Sequence, residues 1–279
     1  MSPRATGRLA LRPLGLADVE LTHGVWADWQ RLNRDVTIPH ALSWLERDGS
    51  VDNLRALRSA EPPAEHRGLW FSDSDVYKML EGLSWDLGRA PSAALSAAVA
   101  ELIDVVRRAQ EDDGYVNSFV QAGHTQRWDH MAWSHELYCI GHLVQAAVAN
   151  HRATGDGDLL AIAQRAADCV VREFGDSRRK DTDGHPEIEM ALVELYRETG
   201  QGSYLDLAQQ LIDVRGYRVL DPRGTSTRRT TRTRSPSGSR RRSSATRCVR
   251  CTCLRASSTS TSRPANGRCW TARCACGSR

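Results

Sequence analysis

The densest run of metal-capable side chains is "ATRCVRCTCLR" (residues 245–255), where Cys248, Cys251 and Cys253 stand among arginines. Cys-x-x-Cys is the spacing of half a zinc site, and the arginines around it also suit an arm that follows phosphates. A second set lies in "SHELYCIGH", which places His135, Cys139 and His142 at i, i+4 and i+7 on one helical face. Imidazole and thiolate groups so spaced could hold a metal. The competing reading is a packed face, with Cys139 as a small buried thiol and His142 as a hydrogen-bonded helix histidine. Glu136 projects about 100° away from His135, so the pair is no HExxH-type site. In "DGHPEIE", His185 precedes Pro186, a residue suited to a first helical turn. His185 is therefore expected at a helix N-terminus beside unpaired amides, where a polar ligand can be held, and Glu187 there suits the helix dipole. Asp73, Ser74 and Asp75 precede another apolar-periodic helix and read as N-capping residues. Trp70, Trp128 and Trp133 could stack on the C–H face of a sugar, with core packing as the alternative use.

The chemistry at the two ends of the chain differs sharply. Residues 1–221 hold all 34 acidic groups and carry a net charge of −11, while residues 222–279 contain 15 arginines and no acid. That last segment has only Val249, Leu254 and Trp270 as large apolar groups, too few to offset the entropy of folding, so a disordered Arg/Ser/Thr-rich tail is expected. Of its 58 residues, 55 are of types whose codons have G or C at the second base, and the body has 21 arginines against two lysines. A GC-rich gene read one base out of register yields this composition. From Ala245, the shifted frame permits "HAVRALYLSAGIVDVYL", with the acids and aromatics that the tail lacks. The three cysteines then count as out-of-frame residues rather than ligands. Residues 1–221 form the expected domain and 222–279 a frameshifted tail.

The elements that must position the candidate residues are helical hairpins. "RATGDGDLLAIAQRAAD" from Arg152 and "RETGQGSYLDLAQQLID" from Arg197 share RxTGxGxxLxxAQxxxD at a period of 45 residues. In each, Thr-Gly closes one helix and an amphipathic helix follows within a few residues. Ile188, Ala191, Leu192 and Leu195 form one apolar stripe, and Leu205, Ala208, Leu211 and Ile212 its partner. Further helices are predicted over 17–31, 74–88, 93–110, 133–153 and 158–173, about eight in all, with loops over 61–70, 110–119 and 176–185. Stacked pairs of this period make either an open solenoid or a closed α/α toroid. No apolar run approaches the about 18 residues of a membrane span and no secretory signal is evident, so a cytoplasmic protein is expected. A phosphate loop and a nucleophile elbow are also absent, and the body has no basic stripe for nucleic acid.

Taken together, "FSDSDVYKMLE", "AQEDDGYVNSF", "HELYCIGHLVQAAVANHRATG" and "GHPEIEMALVELYRETG" resemble glycoside hydrolase family 127, the β-L-arabinofuranosidase-like enzymes, over about residues 10–220. The resemblance implies an all-α catalytic domain, here an incomplete (α/α)6 toroid, that releases terminal L-arabinofuranose from β-L-arabinofuranosides with retention. It implies sugar contacts from His135 and His185, with Asp75 and Glu187 as further candidates. A family GHAVR segment also resembles the "HAVR" that the shifted frame permits. Retention usually needs two carboxyls about 5 to 5.5 Å apart. The resemblance instead implies a cysteine nucleophile in a zinc site of Glu and Cys ligands, with a separate glutamate as acid/base, all downstream of the matched stretch. No catalytic or metal-ligating residue, no cofactor and little or no activity are therefore expected of this chain itself. The partner implied is an L-arabinofuranoside, neither nucleic acid nor a membrane. The alternative is a non-catalytic helical-repeat protein with a basic interaction tail.

Overall fold

A computed structural model of the chain describes residues 14–57, 65–177 and 179–215. Their regular structure is entirely helical: α1 (Val25–Leu32), α2 (Ile38–Asp48), α3 (Ser50–Ala56), α4 (Asp73–Arg89), α5 (Ala93–Ala109), α6 (Ser118–Gln121), α7 (Glu136–Thr154), α8 (Asp158–Phe174), α9 (Ile188–Thr199) and α10 (Gly202–Val214). The expected tail, with Cys248, Cys251 and Cys253, lies outside the described residues. None of the described helices is long and apolar enough to cross a membrane.

Three of these helices are inner and three outer. α7 packs on α4 along one side and on α9 along the other. Its sequence is apolar round nearly the whole circumference, with Leu137, Cys139, Ile140, Leu143, Val144, Ala146, Ala147 and Val148 all buried, as a helix enclosed by neighbours requires. α8 is one-sided instead: Leu159, Ile162, Ala163, Ala166 and Val170 face the core while Asp158 and Arg172 stay out. At one end of the inner layer the ring of Phe71, just before α4, lies 5.0 Å from that of His135, just before α7. At the other end, Asn150 of α7 donates to Ser84 Oγ of α4 over 3.2 Å, and Arg152 pairs with Glu198 of α9 over 2.9 Å. The inner helices are therefore parallel, with all three N-termini at one end. Each returns through an outer partner, giving hairpins α4/α5, α7/α8 and α9/α10. This is an arc of three hairpins of an (α/α)6 toroid, flanked by α1–α3.

The repeated Thr-Gly closes α7 and α9 in the same way. Gly155 and Gly200 adopt φ of 80° and 77°, and their N–H groups bond His151 O and Tyr196 O over 2.9 and 2.7 Å. Thr154 and Thr199 each donate to the carbonyl four residues back over 2.8 Å, and each hydroxyl accepts the amide two residues on. The second half of the repeat also ties hairpins together, since Asp168 of α8 accepts from Tyr204 Oη of α10 over 2.9 Å.

Two predicted helices begin later than the apolar pattern suggests. The 17–31 segment is α-helical only from Val25, after a 3-10 turn at Leu16–Asp18 and Gly24 at φ 85°, and the 133–153 segment starts at Glu136, because His135 turns into the left-handed region at φ 58°. α2 and α3 are not anticipated by the apolar pattern. The chain runs from α1 into α2 through one widened turn, Asn33–Thr37, and Trp26, Trp29 and Trp44 remain exposed, so no single stripe marks the segment. Pro186 precedes α9 rather than opening it, since Ile188 is the first helical residue.

No atom lies within 4 Å of a Cβ added at Gly155 or Gly200, so glycine there serves only the left-handed backbone. Gly155→Ala and Gly200→Ala should each cost about 1 kcal/mol. Urea denaturation checks this; a neutral effect in either variant would contradict the shared closure.

Candidate functional site

The N-terminal ends of α4, α7 and α9 converge, and the loops feeding them carry most of the candidate residues. The loop before α7 is held by Glu136, the first residue of that helix. Its fully buried carboxylate accepts from Trp128 N over 2.9 Å, from Ser134 Oγ over 3.0 Å and from the Tyr115 hydroxyl. Trp128 is thereby fixed at φ 65° with its ring buried against Tyr115 and Phe174. It is a core residue, not a ligand platform. Burial raises the Glu136 carboxyl, and the three donors oppose that rise.

His135 follows in a left-handed conformation that costs a non-glycine residue about 1 kcal/mol. Its Nδ1 bonds the Trp133 carbonyl, which also receives Trp70 Nε1 over 2.5 Å. A carbonyl only accepts, so Nδ1 carries the proton and Nε2 is left as an acceptor. Burial lowers the His135 imidazole, favouring this neutral form. His185 comes from the loop before α9, and its ring lies 5.0 Å from that of His135 and 5.6 Å from Tyr138. Asp183 makes that meeting possible: its buried carboxylate accepts from His185 N over 2.9 Å and from Tyr138 N over 3.1 Å, bridging the loop before α9 to the first turn of α7. Gly184 brings the loop in closely, donating to Met131 O over 2.8 Å, and a Cβ there would stand 2.3 Å from Ala132 O. Neither Asp183 nor Tyr138 is marked by spacing, because their work depends on a loop 45 residues away.

Lys78 of α4 stands over the Tyr138 ring at 5.1 Å and reaches Ser74 Oγ and Asp75 at 3.1 and 3.3 Å. Beside it, His142 Nδ1 lies 3.6 Å from Glu187 Oε1. Burial pushes the Glu187 carboxyl up to about 7, with Glu189 and Glu81 adding to the rise and Lys78 opposing it. Burial, reinforced by Lys78, takes the His142 imidazole down to about 4. Glu187 is thus a carboxyl that titrates near neutrality, able to give or take a proton, beside an uncharged imidazole.

The sequence candidates divide accordingly. His135, His185 and Glu187 assemble at one end of the inner helices. Asp75 is half exposed and joins them through Lys78. Asp73 is not a cap: Ser72 precedes the helix, and Asp73 accepts from Ser118 N over 2.6 Å and Ser118 Oγ over 2.5 Å. Glu187, whose φ and ψ are non-helical, precedes Ile188 without a capping bond of its own. Cys139 is fully buried and its thiol lies 3.7 Å from the Phe71 carbonyl. Burial, with Asp73 and Asp183 nearby, pushes that thiol well up, as in a packed core cysteine. Among the described residues no three His, Cys, Asp or Glu gather in a metal-binding group, so the set His135, Cys139 and His142 does not fit zinc.

Comparison with known proteins extends this arrangement. A family model described as the β-L-arabinofuranosidase GH127 catalytic domain matches residues 18–252, running past the composition break at 221. A non-reducing end β-L-arabinofuranosidase of Bifidobacterium longum is 42% identical over 174 residues, covering 60% of this chain and 26% of its own. A solved GH127 β-L-arabinofuranosidase from Geobacillus stearothermophilus T6 superposes with TM-score 0.72 at 31% identity, over 78% of this chain and 38% of that one. Another solved GH127 β-arabinofuranosidase gives 0.70 at 36% identity, over 74% and 34%. The chain thus spans about a quarter of the curated relative's length and about a third of each solved structure's.

The Glu187 environment predicts a pH signature. A carboxyl raised from 4.5 to about 7 binds its proton more tightly in the folded than in the unfolded state. Its contribution to stability is complete below about 4.5 and is lost as pH rises through about 7. Glu187→Gln removes that loss, so the variant should gain on the parent chain by about 1–3 kcal/mol at pH 8, with the gap closing by pH 4. Thermal melts of both proteins across that range decide the matter; a pH-independent gap contradicts the assignment.

Proposed function

Because the chain belongs to glycoside hydrolase family 127, the β-L-arabinofuranosidases, we propose that it forms the sugar-reading end of a hydrolase acting on terminal β-L-arabinofuranosides. The observation that carries this reading is the meeting of His135 and His185, 50 residues apart in sequence, with ring centroids 5.0 Å apart where three inner helices begin. His135 offers Nε2 as an acceptor to a sugar hydroxyl, and His185 lies exposed beside it. Glu187 is placed to exchange a proton with a bound hydroxyl, and Asp75 acts one step removed, through Lys78. Supporting all four is a rigid frame of buried carboxylates that fixes the loops before the sugar arrives.

The thiolate nucleophile, the acid/base glutamate and the zinc of the complete enzyme are assigned to sequence other than the described residues, whose cysteines, Cys139 and Cys169, are buried and carry raised thiols. No step is routed through them. Two unpaired buried thiols also agree with a cytoplasmic location. The out-of-register origin of residues 222–279 is proposed from composition. Resequencing the locus decides: an unbroken frame through codon 221 overturns it.

The sugar reading is tested by titrating the purified chain with methyl β-L-arabinofuranoside and following histidine side-chain resonances. Saturable binding is expected, weakened about tenfold or more in His135→Ala and in His185→Ala through the loss of a hydrogen bond to the sugar. Unchanged affinity in both variants would sink the reading.

A further inference from the structure

α1 and α2, joined through the widened turn, carry apolar side chains on two sides. On one side Ala27, Ile38 and Leu45 are buried. On the other, Val25, Trp29, Leu32 and Val36 follow one another at intervals of four, three and four residues, the spacing of a helix–helix seam. The widened turn Asn33–Thr37 sets the helix after it back by one residue's rotation, about 100°, which returns Trp44 to the same row. Trp26 stands edge-on to Trp29 at the side of the row, with ring centroids 5.7 Å apart. All six of these residues are 51–64% exposed. With three tryptophans among them, they present on the order of 700 Å² of surface. That exceeds the about 300–600 Å² of the largest apolar patch on an ordinary monomer, and approaches the about 800 Å² that each partner brings to a standard interface.

Charge and position narrow what can cover this face. Residues 25–48 hold three arginines and four acids, and Arg34 is turned inward onto Asp86 at 2.6 Å. Anionic lipid and nucleic acid both call for an excess of basic groups that the segment lacks. Aliphatic side chains set between the tryptophans suit knobs from another helix better than they suit a sugar ring. The row also lies at one edge of the arc. α2 packs on α4, α4 on α7 and α7 on α9, so α10, where the described chain ends at Arg215, stands at the other edge. We propose that this face of α1 and α2 docks on the same face of a second copy of the chain, about a twofold axis. A face that serves both partners needs no second complementary surface. Two of them together bury about 1,400 Å², within the range of a specific interface.

Analytical sedimentation of the full 279-residue chain over a range of concentrations tests the interface. A concentration-dependent shift from the 31.0 kDa monomer to twice that mass is expected. Trp29→Glu and Leu32→Glu each put a carboxylate in the middle of the row and should weaken the dimer about a hundredfold or more, while Trp29→Ala should weaken it about tenfold. Leu69→Glu, at an exposed leucine off this face, should leave it unchanged. Helical circular dichroism of each variant separates a lost interface from a lost fold, and Trp29→Ala, which adds no charge, gives the reading if a glutamate variant unfolds. A parent chain that stays monomeric at every concentration overturns the proposal, as does a dimer that survives Trp29→Glu and Leu32→Glu or that Leu69→Glu disrupts equally. So does a dimer lost at high salt, the mark of attraction between the basic residues 222–279 and the acidic body.

Discussion

The arrangement depends first on one buried carboxylate at the start of a helix. Glu136 is satisfied by uncharged donors: Trp128 N–H, the Ser134 hydroxyl and the Tyr115 hydroxyl. Taking a carboxylate wholly out of water is costly, and only well-placed donors offset that cost. Once they are gathered, the segment from Trp128 to Ser134 has few alternatives. Its two ends take left-handed turns, at Trp128 and His135, that non-glycine residues avoid unless the surroundings impose them. The geometry of His135 therefore follows from a residue that faces away from it.

Asp183 repeats the device at the next inner helix. Burial pushes its carboxyl up to about 7, and the amides of His185 and Tyr138 and the charge of Arg215 work against that rise. Arg215 in turn is buried, pairing with Glu189 and donating to Asp183 O over 3.0 Å. Asp73 does the same for the third inner helix, tying its N-terminus to Ser118. Each inner helix thus begins beside a buried acid that fastens a neighbouring loop. The helix dipole favours negative charge there, which makes this end of the bundle an economical place to hold such groups. At the opposite end, α7 and α9 are closed by glycine and threonine.

This division of labour explains why the site is rigid although it is built from loops. Loop backbones fastened by buried acids present His135, Tyr138 and His185 with little freedom left to lose on binding. It also separates two kinds of histidine. His142 is drawn into the packing between α7 and α9 and held uncharged, while His135 and His185 stay at the rim with ring edges accessible to solvent.

The hairpin architecture was legible in the sequence because it repeats. RxTGxGxxLxxAQxxxD states a helix stop, a turn and an amphipathic start, and Gly155 and Gly200 carry it out with matching φ. His135, His185 and Glu187 were visible as chemistry-bearing residues in distinctive motifs, and the long motifs carried the family. What the sequence could not express was who meets whom. Asp73 looked like a cap and instead fastens Ser118; Cys139 could be read as a ligand or as a buried thiol, and it is sealed in the core; Trp128, Trp133 and Trp70 looked equivalent and are respectively buried, open and a brace. α2 and α3 lacked an apolar stripe of their own to announce them. Local periodicity is written in neighbouring residues, so the sequence determines helices and turns by itself. The site is made by contacts over 40 or more residues, such as Asp183 with Tyr138, and only the packing of parallel inner helices brings those partners within bonding distance.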